Sequence, residues 1–279
     1  MPRSVLIASA TAVALVLSGA AQAGGPGGGF AFGGSGAAAP DGVYRYVTLP
    51  GVRGTVVARI RRDNGSVGRY RQLRGAWALP AVLPQVAEGL SRDGRTLVLA
   101  DAQLAFGGAR QASTRFAILD ARTLAVRRFI RLPGTFEYDA LSPNARTLFL
   151  IQYLSLTDSS RYVVRAYDLR EHRLLRRAIS DKRAWGVTMQ GWAMQRTSSR
   201  SGRWVYTLYS RGSRPFVHML DTRTRRAFCV NLPGRRSPRA ALSLRLRLER
   251  QESSLAVWTV QGKRTVARID TGTMQRTSA

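Results

Sequence analysis

The sequence predicts an all-β fold built from about five similar four-stranded units, and three observations predict it. Two short phrases recur at a period near fifty residues, strand-like segments fill most of the chain, and no long amphipathic helix pattern interrupts them. The first phrase, a polar turn leading into an apolar strand, reads Ser91-Arg92-Asp93-Gly94-Arg95-Thr96-Leu97-Val98-Leu99. It returns as Ser142-Pro143-Asn144-Ala145-Arg146-Thr147-Leu148-Phe149-Leu150 and as Ser199-Arg200-Ser201-Gly202-Arg203-Trp204-Val205-Tyr206-Thr207, with a degraded copy over residues 252–260. The second phrase, an apolar strand ending in Asp, closes at Asp120, Asp168, Asp221 and Asp270, with spacings of 48, 53 and 49 residues. A unit of this length cannot cover its own hydrophobic faces, so copies must stack on one another. The predicted architecture is therefore a β-propeller of about five four-stranded blades.

From the N-terminus, Arg3 precedes an apolar run over residues 5–17 that ends in small residues and Ala21-Gln22-Ala23. This pattern predicts a secretory signal peptide over residues 1–23, since the run is short for a membrane span and the small-x-small triplet suits signal peptidase. Its removal leaves no expected membrane span. Residues 24–40 are almost entirely Gly and Ala and predict a flexible linker, too poor in apolar area to offset ordering entropy. Neither a preceding strand nor a Lys-Ser/Thr pair supports a phosphate-binding loop there. The propeller domain is expected over residues 41–279.

Within that domain, strands are predicted at residues 44–49, 55–60, 67–73, 96–100, 115–119 and 125–132, and onward. Asn64-Gly65 predicts a type I′ hairpin at the end of the first unit, because both residues tolerate positive φ. The Asp-led turns at residues 120–123 and 221–224 predict side-chain acceptance of backbone N–H groups, which makes these aspartates turn formers.

The Ser-x-Asp-Gly-Arg-x-Leu phrase, followed by a strand and an Asp-x-x-Thr turn, resembles the YVTN and TolB-like (WD40-like) families of bacterial propellers across residues 43–274. The phrase is loose, with Asn144-Ala145 and Ser201-Gly202 in place of Asp-Gly. The resemblance implies four-stranded blades around a central channel. The first unit lacks the opening phrase and the chain stops soon after Asp270, so an N-terminal strand is expected to complete the last blade and hide its edges.

The chain carries 44 basic residues against 16 acidic, a net charge of +28, and all but Lys182 and Lys263 of the basic set are Arg. Such a balance favours an anionic partner through salt-sensitive attraction. The same Arg, Ala and Gly usage is also what a GC-rich genome produces. Clusters such as Arg59-Ile60-Arg61-Arg62 and Arg245-Leu246-Arg247 alternate with apolar residues and read as solvated strand faces. No motif supports sequence-specific nucleic-acid recognition.

Catalytic and metal-binding patterns are not legible. His172 and His218 are the two histidines, Cys229 is the single cysteine, and no zinc-ligand spacing or nucleophile elbow occurs. The expectation is therefore no cofactor, no metal and no catalytic residue. Cys229 and His218 read as packed strand residues.

One constellation predicts a site. Counting back seven residues from Arg95, Arg146 and Arg203 reaches Glu88, Asp139 and Arg196, which should occupy equivalent positions on the strand lining the channel of each blade. With Tyr138 and Trp192 beside them, they are the candidate ligand-binding residues for a polar molecule such as a sugar or peptide. The aromatic stretch over residues 185–194 reads as a loop over one face of the ring.

These readings converge on a monomeric, secreted or envelope-associated binding or scaffold protein without catalysis, whose partner is an anionic envelope polymer or a protein. The alternative is a propeller hydrolase or lyase acting on a sugar or other polar substrate through Glu88 and Asp139.

Overall fold

The computed structural model describes residues 29–31, 36–82, 86–102, 112–155, 158, 160–181 and 188–277. The expected signal peptide, most of the expected linker and residues 185–187 of the aromatic stretch lie outside them.

Five antiparallel sheets follow one another along the chain. The first holds Ala37–Ala38, Tyr44–Gly51, Gly54–Arg61 and Val67–Leu73, and the second holds Trp77–Val82, Thr96–Asp101, Ser113–Asp120 and Val126–Pro133. Gly29–Ala31 and Val86–Ala87 add to the second sheet through Trp77–Val82. The third is Phe136–Leu141, Thr147–Tyr153, Arg161–Asp168 and Arg173–Leu174, with Met189–Gln190 paired to Arg161–Asp168. The fourth is Trp192–Ser198, Trp204–Arg211, Arg214–Asp221 and Arg226–Asn231, and the fifth is Leu244–Glu249, Ser254–Thr259, Thr265–Asp270 and Gln275–Thr277.

The central strands are apolar runs because both faces are covered. Side chains alternate across a strand, and in Thr147–Tyr153 the residues Leu148 and Leu150 enter a core with Phe116 and Ile130 of the second sheet. Their neighbours Phe149 and Ile151 enter a different core, with Val205 and Tyr209 of the fourth sheet. The same division splits Leu97 from Val98 and Val205 from Tyr206. Four apolar clusters thus join first to second, second to third, third to fourth and fourth to fifth sheets. Among the described residues no such cluster joins the fifth to the first.

The first phrase folds into one turn three times. Ser91, Ser142 and Ser199 accept through Oγ from the N–H of Thr96, Thr147 and Trp204 at 2.9, 2.9 and 3.0 Å. The third position after Ser must be left-handed, with φ of 68° at Gly94, 52° at Ala145 and 72° at Gly202. The Asp turns form as expected. Asp120 accepts from the N–H of Thr123 at 2.8 Å, Asp168 from Glu171 at 2.9 Å, Asp221 from Thr224 at 3.1 Å and Asp270 from Thr273 at 2.7 Å.

Several details differ from expectation. The Asn64-Gly65 turn is not type I′, since of the two only Gly65 has positive φ, 72°. Gly65 instead occupies a left-handed fifth position shared by Leu124, His172, Arg225 and Met274. Among the described residues no N-terminal strand completes the last sheet: its outer strand is Gln275–Thr277, while Ala37–Ala38 completes the first sheet. Strands of two or three residues are too brief to leave a period in the sequence. The expected tether is also partly built into the fold. Gly29–Ala31 pairs with Trp77–Val82 and Ala37–Ala38 with Tyr44–Gly51, and a side chain at Gly36 would overlap the Tyr46 carbonyl, so Gly there permits close backbone approach. Met189, assigned to a surface loop, is fully buried in the third sheet's core.

The outer strand of the first sheet, Val67–Leu73, is exposed at every residue except Leu73 and carries Arg69 and Arg71, charges that protect an open edge from pairing. No helix among the described residues is long and apolar enough to cross a membrane.

Candidate functional site

Three of the five predicted site residues converge. Glu88 follows the short strand of the second sheet, Asp139 lies in Phe136–Leu141 of the third, and Arg196 in Trp192–Ser198 of the fourth. Asp139 is the residue skipped between the paired Tyr138 and Ala140, a bulge that redirects its side chain. Arg196 donates through Nη2 to Asp139 Oδ1 at 2.7 Å, through Nη1 to Glu88 Oε2, and through Nε to Thr207 Oγ1 at 2.9 Å. One guanidinium therefore ties together three sheets.

The cluster is closed to solvent on two of its members. The Arg196 and Asp139 side chains are 2% and 1% exposed, whereas Glu88 keeps 18%. Burial works against the Arg196 charge, but Glu88 and Asp139 more than offset it, and the guanidinium is held above its ordinary range. Burial pushes the Glu88 carboxyl up, with Arg196 opposing. Burial likewise raises the Tyr138 phenol, with the Glu88 charge acting in the same direction. Trp192 stands at the start of the Arg196 strand, 39% exposed, and takes no part in the cluster's hydrogen bonds.

Three residues in register with Arg196 are not legible from the repeat phase. In the fourth sheet Arg196 sits opposite Thr207, Thr207 opposite His218 and His218 opposite Cys229, so the four share one face. His218 is fully buried, and neither ring nitrogen meets a hydrogen-bond partner among the described residues. Burial lowers its pKa, favouring the neutral ring, and Asp139 opposes. Counting cross-strand register outward from the hairpins would have found this row. Asp139 Oδ2 is a further buried atom without a hydrogen bond among the described residues. Among the described residues no group of three His, Cys, Asp or Glu gathers as a metal would require.

Successive antiparallel sheets, each drawn mainly from one stretch of the chain and packed face to face on the next, define the β-propeller class. The chain is similar to a prolyl endopeptidase structure (TM-score 0.50, 13% identity, 90% of this chain and 34% of that one). It is also similar to TolB from Acinetobacter baumannii (TM-score 0.47, 17% identity, 74% and 44%) and to the Swd1 β-propeller domain of Myceliophteria thermophila (TM-score 0.47, 14% identity, 85% and 64%). The chain spans less than two thirds of each of these. No protein-family model matches it, and no curated protein matches it in sequence.

Proposed function

We propose that the chain is a five-bladed propeller that acts by binding, as a secreted or envelope-associated scaffold, without catalysis. The observation that carries this reading is the closure of the carboxylate pair. A glycoside hydrolase needs one carboxyl to protonate the leaving group and the other to attack or to activate water. Glu88 has a raised carboxyl and some exposure, but Asp139 is 1% exposed and bonded to Arg196, so a substrate has no path to the second group. The trio is better suited to fixing blade positions than to chemistry.

The partner in this reading is an anionic envelope polymer or a protein, met by loops and by the Arg-rich surface of a protein with net charge +28. Trp192, four residues before Arg196, is an exposed aromatic that can act as an anchor. The test is cosedimentation of the chain with envelope fractions of its source across a salt series. Retention above about 0.5 M salt that falls in Trp192→Ala supports a specific surface, because simple charge attraction is screened there. Retention lost by about 0.15 M salt, or absent throughout, contradicts it.

A further inference from the structure

A second feature lies away from the Arg196 cluster, where the second sheet meets the third. A cleft of about 400 Å³ is lined by Thr96, Arg127, Arg128, Arg146, Arg170 and His172, and among the described residues no carboxylate lines it. We propose that this cleft binds a compact multivalent anion of the oligophosphate or phosphate-ester class.

The local fold gathers the charge. Consecutive residues of a regular strand face opposite sides, yet Arg127 and Arg128 both line the cleft. The pairing of Val126–Pro133 with Ser113–Asp120 slips between Val126 and Arg128, so Arg127 is a bulge residue. Arg127 is then pinned by Asp120 at 2.6 Å and Thr96 at 3.3 Å. From the third sheet, the repeated Ser turn delivers Arg146 and the Asp168 turn delivers Arg170 and His172.

The charge is only partly compensated within the protein. Asp120 pairs with Arg127, and Glu171 lies 4.0 Å from Arg170. The guanidiniums of Arg128 and Arg146 make no hydrogen bond or ion pair among the described residues. Unpaired like charges sharing one cleft repel, and an anion that enters relieves that repulsion. Planar guanidinium forks match phosphate oxygens in pairs. The volume suits a small ligand or one phosphorylated terminus rather than a length of polymer. This site stands whether or not the envelope-binding reading holds.

The experiment is isothermal titration of the full chain with inorganic triphosphate at about 0.15 M salt, where diffuse surface attraction is screened. The cleft variant Arg128→Gln/Arg146→Gln is compared with Arg69→Gln/Arg71→Gln, which removes the same charge from the exposed edge of the first sheet. Saturable one-to-one binding is expected, at least tenfold weaker in the cleft variant and within twofold of the parent in the edge variant. Ala145→Asp is the second probe, because Asp tolerates the left-handed backbone there and places a carboxylate at the cleft. It is expected to remove binding while leaving the melting temperature unchanged. Equal weakening in both double variants, or no saturable binding, would overturn the proposal. A parallel titration with a phosphate-bearing polymer identifies the source: competition with triphosphate for the cleft assigns a polymer terminus, and its absence assigns a free small molecule.

Discussion

Arg196 of the fourth sheet reaches Asp139 of the third at 2.7 Å, and both side chains are shut from water. Glu88 meets the same guanidinium from the second sheet but retains 18% exposure. A buried ion pair that loses one partner leaves a charge without compensation, at a cost of about 3–5 kcal/mol. Asp139→Ala is therefore expected to cost more in urea unfolding than Glu88→Ala, whose loss water can partly offset. Equal costs would show that the two carboxylates are not distinguished by burial.

The left-handed turn positions offer stabilising substitutions. Ala145 stands at φ 52° where the two sister turns have Gly, and Arg225 stands at φ 57° where the first hairpin has Gly65. A non-Gly residue costs about 1–2 kcal/mol in that conformation, and Gly returns part of this as chain entropy. Ala145→Gly and Arg225→Gly are each expected to raise stability by about 0.5–1 kcal/mol. A loss in both would contradict the strain argument.

Acid should act through the Asp turns. Backbone donation from Thr123, assisted by Arg127, holds Asp120 down to about 2, and Asp168, Asp221 and Asp270 are also lowered. A carboxyl lowered by folding stabilises the fold above its ordinary value of 3.8, and that contribution is lost as pH falls from there toward 2. Melting temperature should drop over that interval. Asp120→Asn should flatten the drop, and an unchanged profile in the variant would sink the assignment.

His218 predicts a second, milder slope. Its burial lowers the ring's pKa below 6.5, so stability is fully present above 6.5 and declines as acid protonates the unfolded chain first. His218→Leu should abolish the decline below pH 6.5. It should cost little at pH 7, since it also removes two buried nitrogens without partners. A large loss at pH 7 would show that the ring makes a bond the fold depends on.

The repeat was legible because its turns use side chains with a mechanism: Ser91, Ser142 and Ser199 bond the strand that follows, and four aspartates bond the turn after them. Counting seven residues back from the turn Arg reached Glu88, Asp139 and Arg196 because the turns hold the strands in common phase. The closure of those residues on each other was not legible, since it depends on a bulge at Asp139 and on packing between sheets. The short terminal strands escaped notice for lack of length. Leu124, His172, Arg225 and Met274 concealed their left-handed turns because none is the Gly or Asn that usually marks one.

The central claim is that Arg196 clamps blades together and does no chemistry, and equilibrium urea unfolding of Arg196→Met tests it most directly. A clamp predicts a loss of about 3–5 kcal/mol, from two carboxylates left without their cation. Residues held for catalysis are often kept at the expense of stability. A variant as stable as the parent, or more so, would contradict the clamp and return Glu88 and Asp139 to candidacy as a reactive pair.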